Sequence, residues 1–172
     1  MGIIDKVLVG ESLVIEGGDL DNVAHIDLII GPRNSAAEDA FCRTLTDQKQ
    51  GVNGLLAVLA PNMMVKPATV MFNKVTIKNM KQAVQMFGPA QRGVSLAVAK
   101  AVEDGIIPKD EADDLFISVG VFISPTADSD EKIQDWNFRA TYEALERAVK
   151  QFPSVDAMLA AVETSAHPFQ AK

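Results

Sequence analysis

The chain predicts a single α+β domain, in which a mixed or antiparallel sheet is packed with helices. Three observations lead there. Its 172 residues suit one domain with a substantial core. Strand-like and helix-like segments are interspersed without the regular alternation of a doubly wound sheet. No repeat and no low-complexity linker divides the sequence, so one domain is expected over residues 1–172.

Taken in order, Lys6 to Ile15 carries Val7, Leu8, Val9, Leu13, Val14 and Ile15 and reads as a first strand. Gly17-Gly18-Asp19-Leu20-Asp21-Asn22 is rich in turn formers and reverses it into an antiparallel hairpin. The returning strand runs from Asn22 to Gly31-Pro32-Arg33. Side chains two apart share a face of a strand, so Val23, His25, Asp27 and Ile29 point one way. Ala24, Ile26, Leu28 and Ile30 point to the core. Ser35-Ala36-Ala37-Glu38 is a capping box, and Ala37, Ala40, Phe41 and Leu45 follow at helical spacing, which predicts a helix of about 14 residues. Cys42 falls inside it as buried packing.

Leu55 to Ala60 is an unbroken apolar run, the pattern of a strand buried on both faces. Pro61 to Pro67 is then a loop. Ala68 to Lys78 alternates as a further strand, with Val70, Phe72, Lys74 and Thr76 on one side. Asn79 caps a helix whose stripe is Met80, Ala83, Val84 and Phe87. Gly88-Pro89 breaks that helix and starts another, lined by Ala90, Gly93, Ala97 and Ala101 and ending near Glu103. Small residues at that spacing allow close packing. Gly105 ends the helix, and Pro108 to Asp114 forms an acidic turn or short helix. Leu115 to Ile123 is the last strand, stopped by Ser124-Pro125. The longest helical pattern runs from about Ser129 to Lys150, with Ile133, Trp136, Ala140, Ala144 and Ala148 near one stripe. Beyond Pro153-Ser154, Val155, Met158, Leu159 and Val162 mark a shorter helix, and Ala166-His167-Pro168-Phe169 is a non-helical tail.

A net charge of −7 argues against general nucleic-acid binding, which needs clustered cations. Cys42 is the only cysteine, which rules out an intramolecular disulfide and a cysteine-cluster zinc site. The start, Met1 to Lys6, lacks the features of a signal peptide, and no apolar run reaches membrane-spanning length. A soluble, cytoplasmic protein is expected. Phosphate loops, dinucleotide fingerprints, nucleophile elbows and zinc-ligand spacings are all missing from the sequence. What remains is acid–base or binding chemistry on a small organic molecule.

Two polar pairs stand out. His25 and Asp27 present an imidazole and a carboxylate on one strand face. A neighbouring carboxylate favours the imidazolium, which is a usable proton donor near neutral pH. Lys74 and Thr76 form a second pair at the same spacing. Pattern alone favours a structural contact for the first pair and a solvated strand face for the second.

Several long stretches carry a resemblance. They are Val23 to Arg33, Leu55-Leu56-Ala57-Val58 with Ala60-Pro61-Asn62, and Met71-Phe72-Asn73-Lys74-Val75-Thr76. Gln82 to Gln91, Asp104-Gly105-Ile106-Ile107-Pro108 and His167-Pro168-Phe169 complete the set. On these the chain resembles the formaldehyde-activating enzymes, the 5,6,7,8-tetrahydromethanopterin hydro-lyases of methylotrophic bacteria and methanogenic archaea, across nearly its whole length. The resemblance implies a fold like the second domain of ribosomal protein S5. It also implies a homopentamer with active sites between subunits, and condensation of formaldehyde with tetrahydromethanopterin to 5,10-methylene-tetrahydromethanopterin and water, with no metal. It assigns the proton donor to His25 and pterin binding to Asp27, Leu55, Lys74, Thr76 and Gln91.

Two loops depart from the family pattern. Ser124-Pro125 stands where a His-Trp pair is expected, and Met63-Met64-Val65 replaces a Leu-Pro-Cys type. Such changes keep open an alternative: a non-catalytic paralogue that binds a pterin or formaldehyde as sensor or carrier.

Overall fold

The computed structural model describes residues 4–168; Phe169, the end of the expected tail, and Met1 to Ile3 lie outside the described residues. In chain order the elements are β1 (Leu8–Val14), β2 (Ala24–Pro32), α1 (Ala36–Thr46), β3 (Gly54–Leu56), β4 (Val58–Ala60), β5 (Met63–Met64) and β6 (Ala68–Asn73). They continue with α2 (Met80–Gln85), a π turn (Met86–Ala90), α3 (Gln91–Glu103), β7 (Leu115–Val121), α4 (Asp130–Lys150) and α5 (Val155–Ala161). One sheet has the order β1-β2-β7-β6-β3; β6 and β7 run parallel and every other neighbour is antiparallel. This mixed sheet with its helices is the expected α+β class.

The sheet's two faces differ sharply. Ile26, Leu28, Ile30, Met71, Ile117 and Val119 are buried on the inner face, each contributing about 1.5–3 kcal/mol. The α4 stripe of Ile133, Trp136, Ala140, Ala144 and Ala148 is buried with them. Two glycines permit the close approach: a Cβ at Gly10 would lie 2.0 Å from the Ala144 carbonyl oxygen, and one at Gly93 would lie 2.4 Å from that of Gln134. On the outer face α1 covers only one end. Phe41 packs on Phe116 with ring centroids 5.1 Å apart, and Gly31 sits against Ala37. No helix among the described residues is long and apolar enough to cross a membrane.

Several local expectations are corrected. Val23 is buried rather than facing out with His25. α1 has 11 residues, and Cys42 on it is exposed. Its box closes one residue early: Ser35 accepts from the Ala37 amide at 3.2 Å, while Glu38 accepts from the Asn34 amide at 2.6 Å. The Leu55–Ala60 run lies at the sheet edge, half-buried, and splits at Ala57. β3 pairs with β6, while β4 turns into a hairpin with β5, inside the expected loop.

β6 stops at Asn73, short of Lys78, because the Asn73 amide ties the chain into a turn. It donates to Gly51 O at 2.6 Å and to Val75 O at 2.7 Å. Gly88-Pro89 does not break the helix. The wider π turn accommodates a proline that an α-helix would reject. The α2 stripe is inverted: Met80, Val84 and Phe87 are exposed, whereas Gln82 and Gln85 are buried. Gln82 accepts from the Lys78 amide and donates to Ile123 O, both at 2.8 Å. Those bonds anchor the polar side inward. α5 forms as expected, yet Val155, Met158, Leu159 and Val162 are all exposed.

Candidate active site

The uncovered half of the outer face belongs to β1, β2, β7 and the end of β6. β1 and β2 pair with Glu11 opposite Asp27, and Asp27 lies opposite Gly120 on β7. Gly120 in turn faces Phe72 of β6. Residues in register share a face, so Glu11, His25, Asp27, Gly120 and Phe72 line one surface.

Lys74 follows the last residue of β6. Its amide still bonds Val121 O at 2.8 Å, which carries the strand alternation one step further. Its side chain crosses β7 over Gly120, where a Cβ would lie 3.1 Å from Lys74 Cγ and 3.0 Å from Phe72 Cζ. The ammonium therefore reaches β2. It pairs with Asp27 Oδ2 and approaches His25 Nδ1 at 3.1 Å. The far nitrogen, His25 Nε2, is 3.1 Å from Glu11 Oε1 and 3.5 Å from Asp27 Oδ1.

These contacts assign the tautomer. An ammonium only donates, so Nδ1 accepts from Lys74; the ring proton then sits on Nε2 and is donated to Glu11. An imidazolium, the form able to act as an acid, has a proton on Nδ1 as well. Forming it requires Lys74 to leave that nitrogen.

His25, Asp27 and Lys74 come together, while the other three residues singled out, Leu55, Thr76 and Gln91, lie apart from them. Leu55 pairs with Met71 and packs against the core. Thr76 is exposed, beside Gly51, because the strand that would have aligned it with Lys74 has ended. Gln91 opens α3, next to Arg92, which donates to Leu59 O of β4 at 2.8 Å. Glu11 was missed by sequence reasoning. The signal was the hairpin itself, whose register puts Glu11 on the His25 side.

The site is an open surface. Glu11 and Asp27 are about half exposed, at 53% and 50%, and Lys74 is 19% exposed. A cleft of about 480 Å³ lies elsewhere, between the π turn, α3 and α4, lined by Pro89, Leu96, Gln134 and Phe138. The hairpin loop is fixed from below. Asp19 accepts from Lys132 Nζ at 2.7 Å and from Asn22 Nδ2 at 2.9 Å, which holds its carboxyl well below the usual carboxylate range. Ser124 joins the same corner: its hydroxyl is 2.9 Å from that of Thr126, which donates to Asp21 at 2.5 Å.

Comparison with known families adds to this geometry. The family model described as formaldehyde-activating enzyme matches residues 9–170. The chain belongs to that family. It is 48% identical over 164 residues to a 5,6,7,8-tetrahydromethanopterin hydro-lyase of Methanosarcina barkeri, covering 95% of this chain and 90% of that one. It is 50% identical over 148 residues to a bifunctional enzyme Fae/Hps of Methanocella arvoryzae, covering 86% of this chain and 37% of that one. A bifunctional enzyme Fae/Hps of Methanothrix thermoacetophila is 48% identical over 161 residues. This chain spans only 40% of that relative's length, against 90% of the Methanosarcina barkeri protein.

Proposed function

We propose that this chain, as one domain over residues 1–172, condenses formaldehyde with tetrahydromethanopterin to give 5,10-methylene-tetrahydromethanopterin and water. One observation carries the reading: His25, Asp27 and Lys74 meet on an open sheet face in a chain of this family. A pterin ring nitrogen adds to formaldehyde and leaves a hydroxymethyl group. Loss of hydroxide is slow unless a proton reaches the oxygen as the C–O bond breaks. His25 supplies that proton as the imidazolium and becomes neutral, and water leaves. The second pterin nitrogen closes onto the iminium carbon and releases its own proton. Lys74 and Asp27 hold the pterin's polar groups, so that binding draws Lys74 from Nδ1 and lets the ring charge. Holding the reactants together supplies further acceleration.

Leu55, Thr76 and Gln91 complete pterin binding from a second copy of the chain. Two features support assembly into a homo-oligomer, for which the resemblance implies a pentamer. The site is unenclosed within one chain, and Met80, Val84 and Phe87 present 77%, 56% and 45% of their surface on one side of α2 and the π turn. A patch of that kind marks an association surface. No metal takes part, neither nucleic acid nor membrane is a partner, and the cytoplasm is the working compartment.

The test is to mix purified protein with both substrates and follow methylene-pterin formation above the spontaneous rate. Wild type is expected to accelerate it, and His25→Ala to lose about 10²–10⁴-fold, the usual share of a general acid. An inactive wild type overturns the enzyme reading in favour of a non-catalytic binder. An active wild type matched by His25→Ala overturns the assigned acid.

A further inference from the structure

We propose that Glu11 is a positioning residue for His25, holding the ring from its Nε2 side so that Nδ1 is the nitrogen that delivers the proton. This rests on His25 being the acid of the proposed reaction. The carboxylate expected beside the ring was Asp27, but geometry favours Glu11. Asp27 Oδ2 is engaged by Lys74, and its other oxygen stands 3.5 Å from Nε2, against 3.1 Å for Glu11.

Glu11 has a cation behind it. Arg147 of α4 reaches past the edge strand β1, 4.0 Å from Glu11 Oε2 and 3.5 Å from the Glu11 carbonyl, while its other arm pairs with Glu143 at 2.5 Å. The charged groups facing the ring are therefore Glu11 from β1, Asp27 from β2 and Lys74 from the end of β6, with Arg147 behind Glu11. From β7 come uncharged neighbours: Gly120 opposite Asp27 and, just past the strand, Phe122, whose amide donates to the His25 carbonyl at 3.2 Å.

The two nitrogens thus have different surroundings. Nε2 points to a carboxylate at the sheet edge. Nδ1 points to Lys74, the group assigned to the pterin. A ligand that displaces Lys74 meets Nδ1, and a carboxylate on the opposite nitrogen stabilises the imidazolium that must form there. Glu11 touches no reacting atom. It fixes the ring's tautomer and orientation.

The experiment uses Glu11→Gln, which keeps shape and removes charge, with Glu11→Asp as the conservative control. Two histidines in the chain make the ring signals of His25 and His167 separable by NMR. In the ligand-free protein the His25 ring signals are expected to titrate at lower pH in Glu11→Gln than in wild type, because the carboxylate 3.1 Å from Nε2 loses its charge. Glu11→Asp should recover part of that shift.

In turnover, Glu11→Gln is expected to lower kcat about 3- to 10-fold with KM unchanged, and to cost nothing further in a His25→Ala background. An unmoved His25 midpoint overturns the proposal, as does an equal loss with and without His25. If His25→Ala is as active as wild type, the acid assignment fails and Glu11's role with it. The ligand-free titration still reads the Glu11–His25 contact on its own.

Discussion

Gly120 offers the sharpest probe of how this sheet positions Lys74. It sits in register between Asp27 and Phe72, and the Lys74 chain crosses directly over it. A Cβ there would stand 3.1 Å from Lys74 Cγ and 3.0 Å from Phe72 Cζ, both closer than ordinary van der Waals contact. Alanine requires these side chains to yield by a few tenths of an ångström. Valine adds two further methyls and moves Lys74 by about 1 Å, a misplacement that costs on the order of 10²-fold in rate.

Stability should change little. Overpacking costs about 1–3 kcal/mol in a closed core, but here the neighbours are flexible and one face is open. Replacing a strand glycine by a β-branched residue also returns about 0.5–1 kcal/mol. Net changes within about 1 kcal/mol correspond to melting shifts of about 2–4 °C for a chain of this size. Steady-state methylene-pterin formation and a thermal melt, run on wild type, Gly120→Ala and Gly120→Val, separate the two effects. kcat/KM should fall in the order wild type, alanine, valine, while the melts stay close. A Gly120→Val protein with kcat/KM within twofold of wild type would refute the claim that Lys74 needs this crossing.

Two further outcomes follow from the packing and the hairpin corner. Gly93→Ala forces a Cβ to 2.4 Å from the Gln134 carbonyl oxygen and 2.9 Å from the Phe138 nitrogen, both backbone atoms, so α3 must part from α4. A net loss of about 1–3 kcal/mol is expected in chemical denaturation, despite alanine's better helix propensity. Asp19 is held below its ordinary value of 3.8, chiefly by Lys132 and then by Asn22. Its stabilisation is therefore complete above that pH and is lost as pH falls through it toward the folded value. Denaturation midpoints measured at about pH 6 and about pH 3 should differ less in Asp19→Asn than in wild type.

The parts legible in the sequence were those set by local period or local chemistry. Alternation alone placed Ala24, Ile26, Leu28 and Ile30 inside and His25 and Asp27 outside, as the structure has them. The α4 stripe and the cap at Asn79 were also readable, because a cap needs only its own few residues. Local period failed where a distant partner decided the outcome. Asn73 bonds Gly51, 22 residues away, and so ends β6 before Thr76 can align with Lys74. Gln82 bonds Ile123 O, 41 residues away, and so turns its side of α2 inward and leaves Met80 and Val84 in solvent.

The His25 surroundings show the same division. A strand face was enough to find the histidine and the aspartate, whose carboxylate lies 3.5 Å from Nε2, but not Glu11, which lies nearer at 3.1 Å. Ranking Glu11 ahead of Asp27 requires the hairpin register, the reach of Lys74 over Gly120 and the approach of Arg147 from α4. Three elements distant in sequence meet on that one ring. Its hydrogen-bond partners are consequently set by tertiary structure, which no local pattern supplies.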